Sequence, residues 1–193
     1  MIRIAAERDI PAMLEIYGPY VLNTAYTFEY TVPTEEEFTR RFRDITKQMP
    51  WLVWEEDGAV LGYAYGSLPF SRAAYSWCGE VSIYLAPEAQ GRGIGRQLYT
   101  AVEQIQWRQG YRVIYALITS ENAGSLAFHQ HMGYTFRANF ENCGIKFGRS
   151  LGIIWMEKRS SFVDIPTKFP VPWTKIVQSN EFLIDILDNL SLS

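Results

Sequence analysis

Apolar positions recur along the chain in two alternating periods, one near two residues and one near three and a half. A short apolar stretch at residues 2–5 predicts a strand, and Ile10, Met13, Leu14, Tyr17 and Val21 then follow at helical spacing. Asp9 offers that helix an N-cap, with Pro11 tolerated in its first turn. Thr34 and Glu37 form a capping-box pattern, and Phe38, Phe42, Ile45 and Met49 give a second helical stripe. Residues 51–55 and 60–67 predict two strands around Asp57-Gly58, a dipeptide suited to a tight hairpin turn. Another strand is expected over about 78–85. Gly91 to Gly95 opens a helix whose buried face is Ile94, Leu98, Val102 and Ile105. Residues 113–118 are a continuous apolar run, as a strand buried on both faces requires. A helix over 122–132 is closed by Gly133, and 135–138 and 151–156 predict two last strands. The order is that of a mixed α/β domain over residues 1–158, without internal repeats.

Residues 159–193 read differently. Pro166, Pro170 and Pro172 interrupt any regular element, so this stretch is expected to be a linker. Residues 181–190 then predict a helix with Phe182, Leu183, Ile186, Leu187 and Leu190 on one side. That stripe is too apolar to stay in water, and we expect it to dock on its own domain; a partner subunit is the alternative. With 193 residues, 48% of them hydrophobic, the chain can bury a substantial core. A net charge of −3 argues against a global polyanion footprint, so nucleic acid is not an expected partner. The longest apolar run falls far short of the about 20 residues of a membrane span, and the N-terminus lacks a signal-peptide stretch. Cys78 and Cys143 have no paired Cys/His spacing. No metal site and no disulfide framework are therefore expected, and a reducing cytoplasm is the default location.

The most informative segment runs from Glu80 through Val81-Ser82-Ile83-Tyr84-Leu85-Ala86-Pro87 into Gln90-Gly91-Arg92-Gly93-Ile94-Gly95-Arg96. A strand enters a turn with glycines at alternate positions, and an amphipathic helix starts at once. Glycines let backbone approach a ligand closely, and the free N–H groups of a helix start attract an anion, here beside Arg92 and Arg96. The expected guest is a phosphate or pyrophosphate. The spacing is neither the G-x-G-x-x-G dinucleotide fingerprint nor a P-loop.

It does match the Q/R-x-x-G-x-G/A signature, and in this the chain resembles the GNAT acyltransferases. The resemblance extends to Glu-x-Ser-x-Tyr-x-x-Pro before the turn, Asn122-x-x-Ser125-x-x-x-His129 after it, and Lys146-Phe147-Gly148-Arg149. These look like the branch that N-acetylates phosphinothricin and L-amino acids such as methionine sulfone and sulfoximine. The resemblance covers about residues 1–158. It implies a GNAT fold, a mixed and mainly antiparallel sheet with helices on both faces, and acetyl-coenzyme A as the acyl donor. A homodimer is implied as well. One departure stands out: after Arg149 the family usually has a tryptophan and, two residues on, an aspartate, where this chain has Ser150-Leu151-Gly152.

The resemblance also implies roles. Glu80 shares a strand face with Ser82 and Tyr84 and matches the family's general base, acting through water; burial there should raise its pKa. His129 lies on one helical face with Asn122 and Ser125, where the family often has a tyrosine acid, and is expected to handle a second proton. The Leu85 amide would polarise the thioester oxygen. Implied cofactor contacts are Ile83, Tyr84 and Leu85, then Gln90, Gly91, Arg92, Gly93, Ile94, Gly95 and Arg96, and finally Asn122 and Ser125, with His131 a cofactor-side contact at most. Phe28 and Glu29, with Arg72, Ala73, Ala74 and Tyr75, occupy loops that line the acceptor pocket. Arg72 is suited to pair with a substrate carboxylate or phosphinate. The reading is an N-acetyltransferase for a small amino-acid-like amine. Its alternatives are another amine acceptor, such as a polyamine, an antibiotic or a protein N-terminus, or a non-catalytic sensor of acetyl-coenzyme A.

Overall fold

A computed structural model describes residues 1–162, 164–178, 180 and 183. The elements are β1 (Ile2–Ile4), α1 (Ile10–Asn23), α2 (Glu35–Thr46), β2 (Trp51–Glu56), β3 (Ala59–Ser67), β4 (Cys78–Leu85), α3 (Ile94–Gln109), β5 (Val113–Thr119), α4 (Ala123–His131), β6 (Thr135–Lys146) and β7 (Arg149–Arg159). They build one seven-stranded sheet in the order β1-β2-β3-β4-β5-β7-β6. Every neighbouring pair is antiparallel except β4 and β5. Helices cover both faces. On one, α3 buries Leu98, Val102 and Ile105 against Leu52, Ala64 and Ile114. On the other, Met13 and Tyr17 of α1 and Phe38 and Phe42 of α2 pack on Trp51, Val53 and Tyr63. Trp51 lies stacked on Tyr65 at 4.1 Å, so these aromatics are core, as their alternation along the strands demands.

Local chemistry explains most element ends. Asp57 and Gly58 both adopt positive φ, 51° and 80°, which closes the β2–β3 hairpin. Thr34 accepts the Glu37 amide at 3.2 Å and caps α2, but the Glu37 carboxylate turns to Arg41, so only half of the capping box forms. Asp9 does not cap α1 with its side chain. Its carboxylate instead accepts the Ala6 amide at 2.8 Å and a bidentate Arg3 guanidinium at 2.7 and 2.8 Å. A charged partner within reach outcompeted a helix N–H. Strands β6 and β7 run much longer than the apolar pattern marks, because their outer halves pair as an exposed hairpin.

Among the described residues the proline-containing stretch after β7 is irregular apart from one short turn, Trp173–Lys175, and it packs on the domain. The Trp173 indole donates to the Thr46 carbonyl at 2.8 Å, and Gln109 donates to the Val171 carbonyl at 2.8 Å. Trp173, Val177 and Leu183 are buried in the α3-side core. The helix expected over 181–190 lies, apart from Leu183, outside the described residues.

Candidate active site

The parallel pair β4–β5 supplies the opening. Its register runs only from Cys78↔Val113 to Glu80↔Tyr115, after which the strands part. The Ala86 amide turns toward β3, donating to Leu61 at 2.9 Å, so by strand parity the amides of Ile83 and Leu85 face the parted side. Leu85 is engaged there by the Tyr20 hydroxyl, which donates to its carbonyl at 2.7 Å and accepts its amide at 3.4 Å. The cleft between the strands is lined by Tyr20, Tyr26, Ser82, Ile83, Asn122 and His129, among others. It adjoins a second hollow that Leu85, Gln90, Gly91, Gly95, Ser125 and Phe128 help to line.

Two faces of β4 divide the labour. Tyr84 joins the α1/α2 core, whereas Val81, Ile83 and Leu85 join the α3 core, as alternation predicts. Glu80, on the Tyr84 face, is half-buried. Desolvation pushes its carboxyl up to about 7, with only a Ser67 hydrogen bond opposing the shift. Its carbonyl accepts Gln106 Nε2 at 2.9 Å. Gln106 is buried and wedged so tightly that a Cβ on Gly79 would lie 2.3 Å from its Oε1 and one on Gly66 2.5 Å from its Nε2. These glycines exist to admit Gln106, a role without a local sequence signature.

The glycine turn ends in an uncapped helix start. Gly91 and Gly93 sit at φ 71° and 78°, and nothing stands within 4 Å of where their Cβ atoms would be. Gly93 occupies the cap position of α3, and no side chain bonds the first N–H groups. Those amides and the helix dipole face open space, the arrangement that holds an anion. Gly95 is needed for packing: its Cβ would lie 3.1 Å from Leu85. Ile94 is core. Arg92 is paired with Glu56 at 2.7 Å, and Arg96 is exposed.

On α4, Asn122 Oδ1 accepts the Ser125 amide at 3.0 Å, capping the helix and leaving the Nδ2 donors. His129 is buried, 4% exposed. Its Nδ1 lies 2.7 Å from the Ser125 carbonyl, which can only accept, so Nδ1 carries the proton. Burial lowers its pKa to about 4, against a smaller opposing push from that carbonyl, and the ring is neutral at pH 7. His131 is exposed, with Nδ1 on the Ala127 carbonyl of its own helix.

The loop residues are spread. Phe28 packs on Gly144 of β6, Glu29 pairs with Arg41, and neither is among the residues lining the cleft. Arg72 is exposed on a different hollow with Phe70, Phe169 and Pro170. Ala73, Ala74 and Tyr75 form a short exposed turn, Tyr75 resting 4.6 Å from Phe70. Lys146, buried beneath Phe147, donates to the Thr27 carbonyl at 2.7 Å and ties the β6–β7 hairpin to the 24–30 loop. Arg149 makes a bidentate pair with Glu121 at 2.9 and 3.1 Å, anchoring the same hairpin to the β5–α4 connection. At the departure, Leu151 is core, and a Cβ at Gly152 would lie 3.1 Å from the Phe140 carbonyl.

Residues 2–155 match the acetyltransferase (GNAT) domain family. The chain belongs to the GNAT acetyltransferases. The acetyltransferase is 36% identical over 157 residues to an L-methionine sulfoximine/L-methionine sulfone acetyltransferase of Salmonella typhimurium, covering 81% of this chain and 92% of that one. It is 33% identical over 162 residues to a phosphinothricin N-acetyltransferase of Alcaligenes faecalis, covering 81% of each. Among solved structures, a phosphinothricin acetyltransferase from Sinorhizobium meliloti in complex with acetyl-coenzyme A superimposes with a TM-score of 0.84. It shares 36% identity and covers 90% of this chain and 96% of its own. The uncapped α3 start with its open glycines fits a pyrophosphate such as that of the acetyl-coenzyme A held by the Sinorhizobium meliloti protein. Among the described residues no three His, Cys, Asp or Glu side chains gather as a metal ion requires, and no helix is long and apolar enough to cross a membrane.

Proposed function

We propose that this acetyltransferase moves acetyl to the primary amine of a small amino-acid-like substrate of the phosphinothricin or methionine sulfone type, by direct attack. The observation that carries the reading is the parted β4–β5 pair, with a Glu80 carboxyl poised near neutrality on one strand and Leu85 backbone groups directed into the opening. Bound acetyl-coenzyme A supplies an activated thioester. Glu80, ionised above about pH 7, takes the ammonium proton of the acceptor through water. The Leu85 amide donates where negative charge grows on the carbonyl oxygen, exchanging its Tyr20 partner for that oxygen. Asn122 Nδ2 steadies the cofactor arm. As the C–N bond forms and the C–S bond breaks, the attacking nitrogen gives up its second proton, which passes to the departing thiolate along the His129–Ser125 pair, Ser125 Oγ lying 3.3 Å from His129 Nδ1. Exposed Phe140, Ile145 and Phe147 on the β6–β7 hairpin support a homodimer, and a cytoplasmic setting suits the chemistry.

The test is coenzyme A thiol release with phosphinothricin, methionine sulfone and sulfoximine, ordinary amino acids, polyamines and a short peptide. Release with the first three supports the reading. Release with polyamines or peptide alone would move the acceptor, a second reading favoured by the placement of Arg72 away from the cleft. Binding of acetyl-coenzyme A without release from any amine would favour the sensor. Gly144 offers a finer check, since an added Cβ would lie 2.2 Å from the Phe28 ring. Gly144→Ala is expected to raise the acceptor KM about tenfold by displacing Phe28, with the acetyl-coenzyme A KM unchanged. Equal KM values for the acceptor in both proteins would remove Phe28 from the pocket. Analytical ultracentrifugation reads the dimer directly.

A further inference from the structure

Two aromatic side chains from outside α4 close around the inner edge of His129. Tyr99 of α3 and Tyr134, just before β6, meet its ring edge-on at 5.1 and 5.3 Å and meet each other at 5.8 Å. All three rings are buried, and Tyr99 is 0% exposed. His129 Nε2 lies 3.1 Å from the Tyr99 hydroxyl. Since the Ser125 carbonyl obliges Nδ1 to carry the ring proton, Nε2 is the acceptor and Tyr99 the donor. Behind Tyr99 stands a polar chain with no part in the proposed acetyl transfer. Glu103, one turn further along α3 and 1% exposed, receives Lys158 Nζ at 2.9 Å. Its other oxygen and the Tyr134 hydroxyl are both buried without a hydrogen-bond partner among the described residues. A polar row is expensive to bury in a core, and this one leads to the one imidazole that lines the cleft.

We propose that Tyr99 is a positioning residue for the second proton transfer: its hydroxyl, donating to Nε2, holds His129 in the Nδ1–H tautomer that faces Ser125 and the cleft. The proposal rests on the reading that His129 handles the thiolate's proton. Burial, then the nearby charges of Glu103 and Glu80, push the Tyr99 hydroxyl pKa well up, so it stays a donor throughout the working range. Without it, Nε2 faces an empty edge and the Nδ1–H preference weakens by the worth of one hydrogen bond, about five- to tenfold in the tautomer ratio.

The experiment combines ring-nitrogen NMR of His129 with kinetics on Tyr99→Phe, His129→Phe and the double variant. Phenylalanine keeps the ring packing, and a cooperative melt verifies each fold. In the parent, Nδ1 is expected to show a protonated-type shift and Nε2 an acceptor-type shift; in Tyr99→Phe the Ser125 carbonyl still favours Nδ1–H, and the two shifts draw closer by what a five- to tenfold change in tautomer ratio allows. Expected kinetics are a five- to tenfold fall in kcat for Tyr99→Phe with an unchanged KM for acetyl-coenzyme A, and no further fall when Tyr99→Phe is added to His129→Phe. Unchanged ring shifts in Tyr99→Phe beside a slow His129→Phe would overturn Tyr99 alone. Equal losses from Tyr99→Phe in both backgrounds would show it acting on packing and would overturn it too. A His129→Phe protein at full rate would overturn the proton role of His129 itself, and with it the catalytic meaning of Tyr99, whatever the ring shifts.

Discussion

Glu80→Gln is expected to lower kcat/KM by about 10²- to 10⁴-fold and, above pH 7, to raise the melting temperature. The two effects share one cause. Burial lifts the Glu80 carboxyl from 4.5 to about 7, so the folded protein holds that proton more tightly than the unfolded chain does. Between those values the native state binds more protons, and stability falls as pH rises, reaching its full loss above about 7. The loss is on the order of 2–3 kcal/mol once partial solvent access is allowed for. Glutamine keeps a hydrogen-bonding group for Ser67 and cannot ionise. It should therefore recover this energy as about 4–8 °C in melting temperature at pH 8 and almost nothing at pH 4.5. Pre-steady-state acetyl transfer by the parent should show an acidic limb near pH 7 that the variant lacks. Parental rates for Glu80→Gln from pH 5 to 9 would end the general-base assignment.

Gly93→Asp should abolish useful affinity for acetyl-coenzyme A, by at least about 100-fold, while Gly93→Asn stays within a few fold of the parent. Gly93 sits at φ 78° and ψ −4°, a left-handed conformation that asparagine and aspartate tolerate better than other side chains. The two variants therefore carry similar backbone strain and differ by one charge. Open space around this position admits either side chain. An aspartate here presents a carboxylate to the first amides of α3, which favours the unliganded helix by about 0.5–1 kcal/mol and repels a pyrophosphate. A Gly93→Asp protein that melts no lower than Gly93→Asn, yet fails to bind acetyl-coenzyme A in calorimetry, is the expected result. Equal affinities for the two would mean that the donor's phosphates do not rest on this helix start.

Much of the glycine turn and of the helix after it was legible along the chain because it is local. Strand, turn and helix are consecutive, φ-positive glycines announce themselves by identity, and alternation told which face of β4 each side chain takes. Asn122, expected as the first residue of a helix, is that helix's cap, its Oδ1 taking the Ser125 amide. Other local readings yielded to long-range competitors. Asp9 left its capping role for Arg3, and the carboxylate of Glu37 left its capping box for Arg41. In both, a guanidinium offered a stronger, charge-assisted bond than a backbone amide.

The contacts between distant elements were not legible in the same way. Tyr20 reaches Leu85 across 65 positions, and Lys146 reaches Thr27 across 119. Gln106 and Tyr99 look like ordinary members of an amphipathic helix, yet one holds the Glu80 strand and the other meets His129. By itself the sequence determined the periodicities, the faces, the glycine turn and the helix that follows it, since each depends on neighbours within a few residues. Only the tertiary structure decided where β4 and β5 part, which hydroxyl stands at the opening, and how deeply Glu80 and His129 are buried. Those outcomes depend on desolvation and on contacts between elements far apart in the chain, and no local pattern encodes either.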